Sequence, residues 1–272
     1  MGEASRKSRR GSEIVAREAR CVYCAGPAQT VEHMPPRSMF RDKQRPGAME
    51  FGACNVCNEA TRGSDAVAAV IARIDPNARE HGWQNQEVKR MISALDQFAP
   101  GVREEMARPR KHERRWVHGP MSTVLRPVIY VHADGPRLKA HLTIFGAKLA
   151  MALFREHTGR PLDLNGATWC QFRLNAGITQ QHLDELVVKM PGYETLRQGR
   201  KDVANQFSYR FNTDERTVVA AVAQFHRGLW IIAFAATDPK IIELFAKPEF
   251  LSLPGSAMVR PGELRGMIPS RQ

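Results

Sequence analysis

Two Cys-x-x-Cys pairs, Cys21/Cys24 and Cys54/Cys57, constrain this chain more than any other feature. Four thiolates in two such pairs fill the four positions of a tetrahedral zinc ion. No position is left for water, so this ion is expected to be structural. It would hold together a module too small to bury much core of its own. The fifth cysteine, Cys170, lies far away, alternates with Thr168 and Phe172, and reads as a small buried apolar residue.

Between and just after the pairs stand Glu32-His33 and Asn58. Hydrolysis of a phosphodiester needs a water deprotonated near neutral pH and a cation to take up charge on the leaving oxygen. An imidazole suits the first task, because its ordinary pKa leaves a neutral fraction near pH 7. A carboxylate and an amide oxygen suit the second, being hard ligands for magnesium or a similar divalent ion. His33 is therefore the candidate general base, and Glu32 and Asn58 are the candidate ligands. Neighbours on a strand face opposite ways, so Glu32 and His33 reach one phosphate only where the strand ends or bulges. Met34-Pro35-Pro36 supplies such an ending. Simpler roles stand beside these: a salt bridge from Glu32 to Arg37, and helix capping by Asn58.

Cys-Val-Tyr-Cys at 21 to 24, Glu-His-Met-Pro-Pro-Arg-Ser at 32 to 38 and Ala-Cys-Asn-Val-Cys-Asn at 53 to 58 together resemble the HNH endonuclease superfamily. The likeness is to its four-cysteine branch, which includes phage junction-resolving nucleases of the endonuclease VII type. It covers less than a fifth of the chain. It implies a ββα-metal fold with His33 as general base, Glu32 and Asn58 on the catalytic divalent ion, and Cys21, Cys24, Cys54 and Cys57 on zinc. The polar residue that the family carries midway on its second strand has no counterpart, and Met49 and Glu50 stand near its place.

The chain has 272 residues, with 40 Lys and Arg against 28 Asp and Glu, a formal charge of +12. Such a balance attracts polyanions through counterion release. DNA is the expected partner, with RNA left open, and Arg37 and Arg62 are candidate phosphate contacts. No apolar run is long enough to span a bilayer, and cysteines arranged for metal suit a reducing cytoplasm. No membrane partner is expected.

The expected fold class is α+β, in four parts. Residues 1–20 read as a basic N-terminal arm, mobile over its first dozen residues, and 21–75 as the zinc-bound ββα-metal nuclease module. Residues 76–120 read as a helical and basic linker, and 121–272 as a mixed α+β domain that could contact a protein partner. Val67, Val70, Ile71 and Ile74 predict a helix starting near Asn58 or Ser64, and Val88 to Phe98 a second. Further on, Leu138 to Leu153 mark a long helix stopped by Gly159. Strands are expected at 128–131 and 168–173, a helix at 179–189, a meander at 206–211, 217–225 and 229–236, and a last helix capped by Asp238-Pro239. The function expected is metal-dependent endonucleolytic cleavage of DNA. The alternative is a non-catalytic, zinc-containing nucleic-acid-binding protein.

Overall fold

A computed structural model describes residues 3–74, 86–107, 115–118, 125–128, 134–174, 180–198, 201–245 and 256–269. Helix α1 (Glu3–Arg17) occupies the stretch expected to be a mobile arm. It is docked rather than free: Ile14 is buried, and Arg10 pairs with Glu50 at 2.8 Å. Just beyond the helix, Glu18 takes Arg155 at 2.7 Å. One buried isoleucine is too thin an apolar stripe to announce a helix in so basic a run.

Strand β1 (Thr30–His33) pairs antiparallel with β2 (Glu50–Ala53), in a register that sets His33 opposite Glu50 and Glu32 opposite Phe51. The single helix expected after the second cysteine pair is two, α2 (Asn55–Ala60) and α3 (Arg62–Ala72). The break falls at Thr61, whose φ of −93° and ψ of 2° leave the helical region. Its hydroxyl donates to the Cys57 carbonyl at 2.9 Å. Helix α4 (Gln86–Phe98) lies against α3 and is followed by α5 (Val102–Ala107). The two long helices meet closely at Gly63, where a Cβ would come within 2.5 Å of the Phe98 carbonyl oxygen.

A small pair, β3 (Arg115–His118) with β4 (Leu125–Val128), comes next. Arg108, Arg110, Lys111 and Arg114 of the expected basic linker lie outside the described residues, as do residues 129–131 of the expected strand. Helix α6 (Pro136–Thr158) then runs for 23 residues and stops at Gly159, in the left-handed region at φ 76°. No side chain of its own caps its start. Instead the Glu105 carboxylate, from α5, accepts from the backbone N–H groups of Arg137 at 3.2 Å and Leu138 at 3.0 Å.

The remaining elements are β5 (Ala167–Leu174), α7 (Gln180–Lys189), β6 (Gly192–Glu194), the short hairpin β7 (Arg197–Gln198) with β8 (Lys201–Asp202), β9 (Phe207–Thr213), β10 (Val218–Phe225), β11 (Leu229–Ala236), α8 (Pro239–Phe245) and β12 (Ser256–Val259). Six strands form one antiparallel sheet in the order β12-β5-β11-β10-β9-β6. The meander expected from the alternating apolar residues is its centre, and Asp238 does cap α8, accepting from the Lys240 N–H at 2.9 Å. The protein is α+β.

Helix α6 lies between this sheet and α3. Every side chain from His141 to Phe154 is buried, as a helix packed on all sides requires. Gly146 lets it touch β5, since a Cβ there would sit 2.8 Å from the Cβ of Cys170. Cys170 is a packing residue: burial pushes its thiol up to about 12, and its sulfur donates to the Thr143 carbonyl at 3.4 Å. One apolar cluster runs from Cys21 through α3 and α6 to Leu264, so the cysteine-rich hairpin and the large sheet share a core.

Candidate functional site

The cysteine pairs meet. The four sulfurs lie within 4.8 Å of one another, and Cys24 and Cys54 are 3.7 Å apart. A disulfide needs about 2.05 Å. Four thiolates at about 2.3 Å from a tetrahedral ion stand about 3.8 Å apart, so the separation suits a metal such as zinc. Local backbone explains the convergence. Each pair turns an N–H toward a sulfur, Tyr23 to Cys21 at 3.4 Å and Cys57 to Cys54 at 3.3 Å, and Cys54 is the N-cap of α2. The Cys57 thiol, with backbone N–H groups, holds the Cys21 thiol down to about 5, and the same contact with burial pushes Cys57 up. A bound dication would let all four ionise.

Cys54 takes the capping role considered for Asn58, which sits half-buried within α2, its N–H bonded to the Cys54 carbonyl at 3.1 Å. His33 ends β1, and the Met34–Pro35 peptide that follows is cis. The Nδ1 of His33 faces Glu50 Oε1 at 3.4 Å, within ion-pair range and without a hydrogen bond. Burial works to raise the Glu50 carboxyl, but His33, Arg10 and Arg45 together hold it below the usual carboxylate range. Arg45 organises the loop between the strands. Its buried guanidinium donates to the carbonyls of Pro35 at 2.7 Å, Met34 at 2.9 Å, Ala48 at 2.8 Å and Met49 at 3.2 Å. These bonds hold both ends of the loop beside His33.

Glu32 turns the other way, into the core, as strand alternation demands. Its ion partner is Lys148 of α6 at 3.5 Å, not the exposed Arg37. Lys148, with no exposed surface, also donates to Asp65 of α3 at 2.7 and 2.9 Å, and its ammonium lies 5.5 Å from the centre of the Tyr23 ring. Burial raises the Glu32 carboxyl to about 7 despite the ammonium beside it, and burial likewise raises Asp65. The second oxygen of Glu32, Oε2, is buried without a hydrogen-bond partner. A buried acceptor left open fits a hydrogen-bond donor or a cation, and Glu32 points away from His33.

No hydrogen bond or ion pair joins Asn58 to Glu32 or His33 among the described residues. Arg62, a candidate phosphate contact, lies beyond the break at Thr61, where its guanidinium is 5.9 Å from the centre of the Phe98 ring. Three site residues were not read from the sequence: Glu50, Arg45 and Lys148.

No family model, curated protein or solved structure matches the chain.

Proposed function

We propose that the chain is a metal-dependent endonuclease that hydrolyses phosphodiester bonds in DNA. What supports the reading best is His33 at the end of β1, faced by Glu50 on β2, in the hairpin whose other end leads into Cys54 of the four-cysteine cluster. A carboxylate at Nδ1 favours the tautomer with its proton on that nitrogen, which frees Nε2 to accept a proton from water. The water oxygen then attacks phosphorus, the P–O bond to the leaving oxygen breaks, and Nε2 keeps the proton that water gave up. Glu32 and Asn58 would hold the divalent ion, which when bound neutralises charge on the leaving oxygen. A zinc held by Cys21, Cys24, Cys54 and Cys57 would take no part in the chemistry and would fix the hairpin against α2. The net positive charge of the chain favours DNA as the partner.

The test is plasmid cleavage with magnesium or manganese. His33→Ala should slow cleavage by about 10²–10⁴-fold, the share of a general base. Wild-type protein that leaves DNA intact with every metal tried, or His33→Ala protein that cuts as fast, would overturn the proposal.

One observation favours a second reading, a nucleic-acid-binding protein without catalysis: Glu32 is engaged by Lys148 and does not share a face with His33. On that reading DNA binding survives His33→Ala and Glu32→Ala, falls steeply with salt, and no metal brings about cleavage.

Among the described residues no helix is long and apolar enough to cross a membrane.

A further inference from the structure

Between α3 and α4 lies a cleft of about 220 Å³ that none of the chemistry above uses. Its two long walls are matching helix stripes at i, i+3 or i+4, and i+7: Arg62, Ala66 and Ala69 on one side, Met91, Ala94 and Phe98 on the other. Small side chains at 66, 69 and 94 keep the space open. Pro36, Arg37 and Ser38 form one rim, immediately beyond the turn that follows His33. Asp65 stands at the inner end, where Lys148 joins it to Glu32.

The lining reads as one ligand's chemistry in three parts. The floor, between Ala66, Ala69, Met91, Ala94 and Phe98, is apolar, suited to a ring. The rim carries the exposed guanidiniums of Arg37 and Arg62 and the Ser38 hydroxyl, suited to a phosphate. Phe98, under the Arg62 guanidinium, helps keep that charge at the mouth. The Asp65 carboxylate has about four lone-pair directions, of which Lys148 takes two, so it still accepts from ring or amino N–H groups. At about 220 Å³ the cleft falls below the roughly 300–1,000 Å³ of sites for larger ligands, and one ring system is what it holds.

We infer that this cleft receives a single unpaired nucleotide, its base between α3 and α4 and its phosphate on Arg37 and Arg62. The inference rests on the phosphodiesterase reading and narrows its substrate to DNA with a base out of the stack, such as a bulge or a gap. A fully paired duplex would have to flip a base to fill the cleft, at an unstacking cost that an unpaired base has already met.

Fluorescence anisotropy with two duplexes tests it, one fully paired and one with a single bulged guanine, using His33→Ala protein and magnesium so that the DNA stays whole. The bulged duplex should bind about tenfold more tightly, as one stacked base allows. Adding Ala94→Leu, which fills the cleft from the half-buried face of α4, should erase that preference. So should Arg62→Gln, an exposed change that keeps the test valid should the leucine disturb packing. Equal affinity for the two duplexes, or a preference that survives both substitutions, overturns the inference. The nuclease reading fails on a different result, wild-type protein that cuts neither duplex.

Discussion

Replacing Lys148 by methionine keeps most of the volume of the side chain and removes its charge. The ammonium has no exposed surface and two carboxylate partners, Asp65 at 2.7 Å and Glu32 at 3.5 Å. Removing one side of a buried ion pair costs about 3–5 kcal/mol, because the charge left behind cannot be solvated. Here the low end applies, about 3 kcal/mol, since the Asp65 side chain keeps 14 % of its surface exposed at the cleft. For a chain of this size that lowers the melting temperature by roughly 5 °C. Thermal melts at pH 8 without added magnesium measure it. Glu32→Gln removes the second buried carboxylate while Lys148 keeps Asp65. Lys148→Met should therefore cost about 1 kcal/mol less in that background, a coupling that a double-mutant cycle isolates. An equal cost in both backgrounds would mean that Glu32 and Lys148 do not interact and that Asp65 alone holds the ammonium.

Three further outcomes are expected. Metal analysis should find one zinc per chain, and Cys57→Ala should lose it together with the folded hairpin, read by circular dichroism, because such an ion supplies folding energy directly. Glu50→Gln should slow plasmid cleavage about tenfold or more with DNA affinity kept, since the carboxylate that orients the imidazole is gone; unchanged cleavage would remove Glu50 from the site. Stability should fall by roughly 2 kcal/mol from pH 7 to pH 5, read from urea midpoints. Burial depresses His141 and His226 to about 4, so the unfolded chain takes up their protons first as pH falls below about 6.5, and together they cost about 4 kcal/mol. Glu32, raised to about 7, works in the opposite direction: the folded chain binds its proton first and recovers about 2 kcal/mol. Glu32→Gln should therefore steepen the fall to about 4 kcal/mol.

Elements with a strong local period were legible in the sequence. The apolar stripe from Leu138 to Leu153 and the left-handed Gly159 mark α6, and the alternating runs at 206–236 mark the centre of the sheet. Elements defined by contacts with distant segments were not. Helix α1 depends on Ile14 and on ion pairs with Glu50 and Arg155. The edge strand β12 has only four residues and exists because β5 offers it an open side. The break between α2 and α3 left no trace in the apolar period, because it turns on one threonine hydroxyl meeting the Cys57 carbonyl.

The site divides along the same line, and Lys148 shows why. The cysteine pairs and Glu32-His33 are close in sequence and carry their chemistry in their residue types, so spacing alone selected them. Glu50 needed the register of a hairpin whose loop spans residues 34–49, too long for turn rules to fix. Lys148 had a signal that periodicity analysis passes over: it is the one charge in the apolar run from Ile144 to Phe154. A lysine on a helix buried all round needs a paired anion, and the anions left within the core at this point come from β1 and α3. The pairing makes the hairpin's carboxylate depend on a helix more than 110 positions away in the chain. A segment cut out at residue 75 would therefore keep its four cysteines and lose the counter-charge of Glu32.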